Sequence, residues 1–126
     1  IFVINKQEKA YEIKKEKEMI EKVYKVTGGD NKVIEMVIND EYVHYNHMIL
    51  PAGQGLPLHR TNSNVYMFVV RGILTIRLSD NPAEVYEKGT IINIPSGIDM
   101  NARNEHTEVL ELTVVKAPAP QRPVQK

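Results

Sequence analysis

From Thr27 onward, turn residues cut the chain into short β-prone segments, and that spacing is the strongest constraint on what it can fold into. Thr27-Gly-Gly-Asp-Asn31 signals a turn, Val33–Ile38 suits a strand, and Asn39-Asp-Glu41 turns again. Tyr42–Leu50 is β-rich and ends at Pro51-Ala-Gly53. Val65–Val70 is almost continuously apolar, as in a strand buried on both faces, and Arg71-Gly72 interrupts it. Leu74, Ile76 and Leu78 alternate with Thr75 and Arg77, the pattern of a half-buried strand. Ser79-Asp-Asn-Pro82 turns the chain, Val85-Tyr86 starts the return, and Ile91–Ile94 is another short segment. Leu110, Leu112 and Val114 alternate with Glu111 and Thr113 in the last one. About ten short strands with Gly or Pro between them predict an all-β sandwich or barrel.

The ends read differently. Residues 6–24 are charge-dense, with Ala10, Ile13, Ile20, Val23 and Tyr24 forming a broken helical stripe; the same residues also suit exposed edge strands. Residues 1–26 are therefore an N-terminal arm or edge strands of one domain spanning 1–116. Residues 117–126 are a tail in which Pro118, Pro120 and Pro123 preclude pairing as an interior strand. An extended tail is expected, either disordered or lying across a neighbouring subunit.

Bulk composition removes several functions. The chain has 126 residues, enough for one domain with a core that needs no disulfide or metal. Cysteine is absent, so thiolate metal sites and cysteine nucleophiles are excluded, and a reducing cytoplasm is expected. Sixteen Lys plus Arg balance sixteen Asp plus Glu, which argues against a nucleic-acid partner. No apolar stretch approaches the ~20 residues of a membrane span, and Ile1-Phe-Val-Ile4 is too short for a signal-peptide core.

Two glycine-punctuated segments carry a resemblance. In the first, Gly53 is followed after five residues by His59-x-Thr61, after three more by Val65, and after six more by Gly72. In the second, Gly89 is followed after five residues by Pro95-x-Gly97, after two more by Met100, and after three more by Asn104. Every gap resembles the two motifs of the cupin superfamily, in order and with a hairpin between them. The resemblance covers residues from about 42 to 115. It implies a jelly roll, or double-stranded β-helix, whose barrel accepts a metal or a small molecule.

In metal-dependent cupins two His and a Glu of the first motif and a His of the second supply the ligands. By position these are His59, Thr61, Val65 and Met100, and only His59 retains the donor. Valine has no lone pair, and threonine hydroxyl and methionine sulfur are poor partners for first-row metals in a His/carboxylate site. The resemblance thus implies no cofactor at this site. A rearranged set would need His59 with His44 or His47. Parity puts Tyr42, His44, Asn46, Met48 and Leu50 on one strand face and Val43, Tyr45, His47 and Ile49 on the other. Met48 and Leu50 suit the core, but either histidine face can point inward.

The family position of His59 lies in the cavity, although a mouth histidine bonded to Thr61 or Asn64 is also possible. With His59, Thr61 and Val65 inward, Met67 and Val69 follow by parity, joined by Met100 and Ala102. The expected ligand-binding set is His59, Thr61, Val65, Met67, Met100 and Asn104, a mostly apolar pocket suited to a small, partly apolar organic molecule. Met67 and Met100 are equally plausible as filler that closes the barrel. The expectation is a metal-free binding or sensing module. The alternatives are a metal-dependent oxygenase, isomerase or decarboxylase, and an assembly role for a closed barrel. A homodimer is implied by the resemblance.

Overall fold

The computed structural model describes residues 18–121. Expectations falling on residues 1–17 and 122–126 lie outside the described residues. Nine strands follow one another and no helix occurs among the described residues: β1 (Val33–Asn39), β2 (His44–Leu50), β3 (His59–Arg60), β4 (Val65–Arg71), β5 (Ile73–Leu78), β6 (Glu84–Glu87), β7 (Ile91–Ile94), β8 (Asp99–Arg103) and β9 (Leu110–Lys116). There is accordingly no helix among them long and apolar enough to cross a membrane. Residues 18–26 form neither helix nor strand and are exposed.

The strands make two antiparallel sheets, one of five in the order β1-β2-β9-β4-β7 and one of four in the order β3-β8-β5-β6. The core lies between them. Met48 and Leu50 of β2, Val65, Met67 and Val69 of β4, Leu74 and Ile76 of β5, Ile94 of β7, Met100 and Ala102 of β8, and Leu110, Leu112 and Val114 of β9 join with Leu56 in one buried cluster. Along β2, β4, β5, β8 and β9 the core residues alternate, because side chains along a strand point to opposite faces.

One expectation is corrected. The apolar run at 65–70 is not buried on both faces. Val65, Met67 and Val69 are buried, whereas Tyr66, Phe68 and Val70 lie exposed on the outer face of the five-stranded sheet. A continuous run is ambiguous because apolar residues on a solvent face look the same in sequence as residues in a double-sided core.

The turn glycines behave as their spacing implies. At Gly72 φ is +83°, and a Cβ built there would stand 2.3 Å from the Val109 carbonyl oxygen. Both the backbone conformation and the close approach therefore require glycine between β4 and β5.

For residues 117–121 the expectation for the tail is also corrected. Residues 117–121 pack on their own barrel. Ala117 N–H donates to the Asn64 carbonyl (3.0 Å) and Ala119 N–H donates to the Tyr42 carbonyl (3.0 Å). The Ser63 hydroxyl donates to the Pro118 carbonyl. Ala117 and Ala119 supply the N–H groups that the alternating prolines lack, so this stretch forms a strap between the β1–β2 turn and the β3–β4 loop.

Candidate functional site

The sequence-derived positions divide into an exposed edge and a closed interior. His59 pairs with Met100 across β3 and β8, so the two share a face. Met100 is buried in the core, but β3 is the edge strand of its sheet and His59 is exposed. The expectation of a histidine inside the cavity is corrected to one at the rim. Its Nδ1 lies 3.0 Å from the Pro57 carbonyl, not against Thr61 or Asn64. A carbonyl only accepts, so Nδ1–H donates there and Nε2 is left without a partner among the described residues.

Thr61 is buried and its hydroxyl is doubly engaged. It donates to the Pro95 carbonyl (2.8 Å) and accepts from Ile98 N–H (2.9 Å). Backbone bonds reinforce the junction, from Thr61 N–H to Ile98 O (2.9 Å) and from Gly97 N–H to Thr61 O (2.8 Å). Thr61 thus clamps the Pro95-Ser-Gly97 turn onto the first motif. Val65, Met67 and Met100 come together inside the core cluster, closed to solvent, so the expectation of an open apolar pocket lined by them is corrected to side chains that fill the barrel.

Asn104 is 0% exposed and holds a loop junction. Its Nδ2 donates to the carbonyls of Leu50 (2.8 Å) and Glu108 (2.7 Å), and its Oδ1 accepts from His106 N–H (2.9 Å). The ligand-contacting role expected for it is corrected: its side-chain donors and acceptor serve the backbone. His106 in turn lies 3.3 Å from the Thr75 hydroxyl.

The two candidate wall histidines separate cleanly. Met48 and Leu50 are core residues, which sets His44 and Asn46 on the inward face of β2 and His47 on the outward face. His47 is 1% exposed there. Its Nδ1 meets Glu35 Oε2 at 2.7 Å and its Nε2 meets Glu111 Oε2 at 2.6 Å. Both bonds are made in full only by the doubly protonated ring, because carboxylates accept and do not donate. Arg71 extends the network to Glu111 (2.7 Å), to Asp30 (2.9 Å) and to the Gly29 carbonyl. Thr27 donates through N–H (2.9 Å) and hydroxyl (2.8 Å) to Glu35. The Thr27 backbone bond, aided by His47, holds the Glu35 carboxyl below its usual range. Burial pushes Glu111 upward, but hydrogen bonds from His47 and Arg71 outweigh it and hold that carboxyl low as well. This network fastens residues 27–30 over the outer sheet face, and His47 cannot join His59 as a metal ligand.

No protein-family profile matches the chain. An uncharacterised protein of Methanocaldococcus jannaschii is 38% identical over 105 residues, covering 82% of this chain and 90% of the relative. A crystal structure from that organism, described as an RmlC-like cupin family protein with a double-stranded β-helix fold, has 38% identity and a TM-score of 0.78. It is matched over 80% of this chain and 94% of its own. The chain belongs to the cupin superfamily. Two further structures share the cupin fold at low identity. A cupin superfamily protein of Desulfitobacterium hafniense is 6% identical with a TM-score of 0.63, over 73% of this chain and 82% of its own. A double-stranded β-helix protein of Klebsiella pneumoniae is 16% identical with a TM-score of 0.64, over 74% and 82%.

The residues at the four positions that the resemblance implied as ligands do not fit a first-row metal. At the four ligand positions, Thr61 is engaged by backbone, Val65 and Met100 are core residues, and His59 alone offers a nitrogen. Among the described residues no three His, Cys, Asp or Glu side chains converge as a metal site requires.

Sequence reasoning missed the end of the barrel beneath the strap. Leu110, Leu112 and Val114 point inward along β9, and Lys116 continues that row. Lys116 pairs with Val65 on one side and His44 on the other, so the last inward rung of the sheet is His44, Lys116, Val65 and Ile94. Two clefts flank the strap. One, about 650 Å³, is walled by Asp40, Glu41 and His44; the other, about 510 Å³, is walled by Asn62, Ser63, Asn64 and Ser96. The signal for this was present in the sequence: a lysine at the even position of an alternating strand.

Proposed function

We propose that this cupin is a metal-free binding or sensing module for a small, partly apolar organic molecule. The observation that carries this reading is the donor set: three of the four metal positions have apolar or backbone-engaged side chains, and the remaining imidazole presents Nε2 at the rim. One imidazole holds a first-row metal weakly, but it serves as a hydrogen-bond acceptor for an organic ligand. Because the core is closed to solvent, the proposed site is the rim and not the space between Val65 and Met100.

Replacing His59 by Ala tests this. The ring is exposed and makes one intramolecular hydrogen bond, so the variant's melting temperature should stay within a few degrees of the parent. Organic extracts of denatured parent protein, analysed by mass spectrometry, should contain a co-purifying molecule that is depleted in the variant. Equal content in both proteins would remove His59 from the site, and a fall of more than about 10 °C would make it structural.

A homodimer belongs to the same proposal, and a specific observation favours it. Residues 18–26 leave Met19, Ile20, Val23, Tyr24 and Val26 exposed, with Ile20 at 96%. β1 is an edge strand whose inward Ile34 and Met36 are 53% and 49% exposed. A second copy's arm laid along β1 covers both apolar sets and pairs an open sheet edge. Light scattering should then give twice the chain mass, and truncation before Thr27 should return it to one. A monomeric parent would refute the arrangement.

A further inference from the structure

Lys116 is the one lysine on the inward row of β9, where Leu110, Leu112 and Val114 are all core residues. A lysine that continues such a row normally needs a carboxylate. Among the described residues no carboxylate lies within ion-pair distance of it. Its Nζ instead donates to Asn62 Oδ1 at 3.1 Å, which leaves two of its three donor positions without a partner there. The side chain is half-buried, and burial pushes its ammonium down from the ordinary lysine range. A charge held partly out of water without a counter-charge is unfavourable unless something supplies one.

The surroundings define what that is. Lys116 does not itself wall the 510 Å³ cleft but reaches it through Asn62, which walls it together with Ser63, Asn64, Ser96 and strap residues 118–121. The Ser63 hydroxyl is engaged with Pro118. Asn64 uses Oδ1 to accept from Asn93 (3.0 Å), so its amide N–H groups remain available, as do those of Asn62 and the Ser96 hydroxyl. Among the described residues, this side of the strap therefore holds amide and hydroxyl donors and no carboxylate. The far side is acidic, with Asp40 and Glu41 lining the other cleft; the Asp40 carboxyl is held low by the backbone N–H groups of Val43 and Tyr42.

We propose that the cleft between the strap and the Asn62–Asn64 loop binds the carboxylate of a small organic anion, with Lys116 as its counter-charge and the Asn62, Asn64 and Ser96 side chains as neutral donors. One ammonium balances one negative charge, and the acidic groups across the strap disfavour a dianion, so a monocarboxylate is selected over a phosphate ester. On leaving Asn62 Oδ1, the Lys116 amine exchanges a neutral acceptor for an ionised one, a stronger bond. The apolar body of the ligand lies against Pro118 and Pro120. The inference rests on the binding-module reading only in supposing that a small organic molecule is bound; that reading is tested at His59, and this one at Lys116.

The experiment is a titration of ¹⁵N-labelled full-length protein with sodium butyrate at constant ionic strength, followed by amide chemical shifts. Butyramide serves as the uncharged probe and methyl phosphate as the dianionic one. The expected result is saturable movement of the Asn62, Asn64 and Ser96 signals with butyrate, little with butyramide, and weaker binding of methyl phosphate. Lys116→Met should weaken butyrate at least about tenfold, the loss of one hydrogen bond to a charged group, and Lys116→Arg should retain most of it. Equal binding by Lys116→Met, equal movement with butyramide, or no saturable movement at these residues would overturn the proposal. Tighter methyl phosphate binding would overturn the choice of carboxylate. The His59 test reads a co-purifying molecule and the Lys116 test reads added butyrate, so failure of one reading is distinguishable from failure of the other.

Discussion

Replacing Asn104 by Ala tests whether a residue at a cupin motif position is a ligand contact or a structural clamp. The side chain makes three hydrogen bonds, all to backbone: two donated, to Leu50 O and Glu108 O, and one accepted, from His106 N–H. Leu50 is 0% exposed, so its carbonyl loses the Asn104 bond with no ready replacement by water. An unsatisfied buried carbonyl costs about 1–3 kcal/mol. Glu108 is exposed and His106 partly so, and water can replace those bonds, at a net loss of roughly 0.5–1.5 kcal/mol each. The sum is about 2–6 kcal/mol, with a midpoint of about 4 kcal/mol. For a domain of this size that lowers the melting temperature by about 10 °C or more. In urea, with a slope near 1–2 kcal/mol/M, the midpoint should fall by about 2 M while the slope is unchanged. Asn104→Asp should destabilise at least as much near neutral pH, because a carboxylate then faces two carbonyls. A loss below about 1 kcal/mol with Asn104→Ala would refute the clamp and return Asn104 to the ligand-binding set.

Three further outcomes follow from the geometry. Glu35 and Glu111 have lowered carboxyl values, so their contribution to stability is fully present above the ordinary carboxylate range and is lost as pH falls through those lowered values; urea midpoints measured from pH 7 down to pH 2 should show this, with a shallower acid limb in Glu111→Gln. Gly72→Ala places a Cβ 2.3 Å from Val109 O and 2.8 Å from Leu110 Cα at positive φ, and should cost more than about 3 kcal/mol or prevent folding. Gly53→Ala has positive φ but nothing within 4 Å of the new Cβ, and should cost only about 1–2 kcal/mol by thermal denaturation.

The two motifs made the fold legible because their glycines and Pro95 sit where turns physically require them, and the alternation of β5 and β9 named their inward residues directly. Parity grouped His44 with Met48 and Leu50 on one face of β2, but it left either histidine face free to point inward until the burial of Met48 and Leu50 in the core settled it. The role of His47 was not legible, since its partners Glu35 and Glu111 lie 12 and 64 residues away on neighbouring strands. Asn104 and Thr61 were misread for a related reason. An asparagine or threonine at a motif position looks the same in sequence whether it meets a ligand or a backbone carbonyl. The outer apolar row Tyr66, Phe68 and Val70 concealed the alternation of β4, and two-residue β3 is too short to show any period. The strap escaped notice because prolines argue against interior pairing but say nothing about capping by the two alanines between them.

The proposed function rests on this cupin barrel holding no first-row metal. Elemental analysis of purified full-length protein, grown with first-row metals supplied and dialysed against metal-free buffer, measures that directly. The account predicts well under one equivalent of manganese, iron, nickel or zinc per chain, with no rise in melting temperature when each metal is added back. One tightly held equivalent per chain, lost together with thermal stability in His59→Ala, would contradict it.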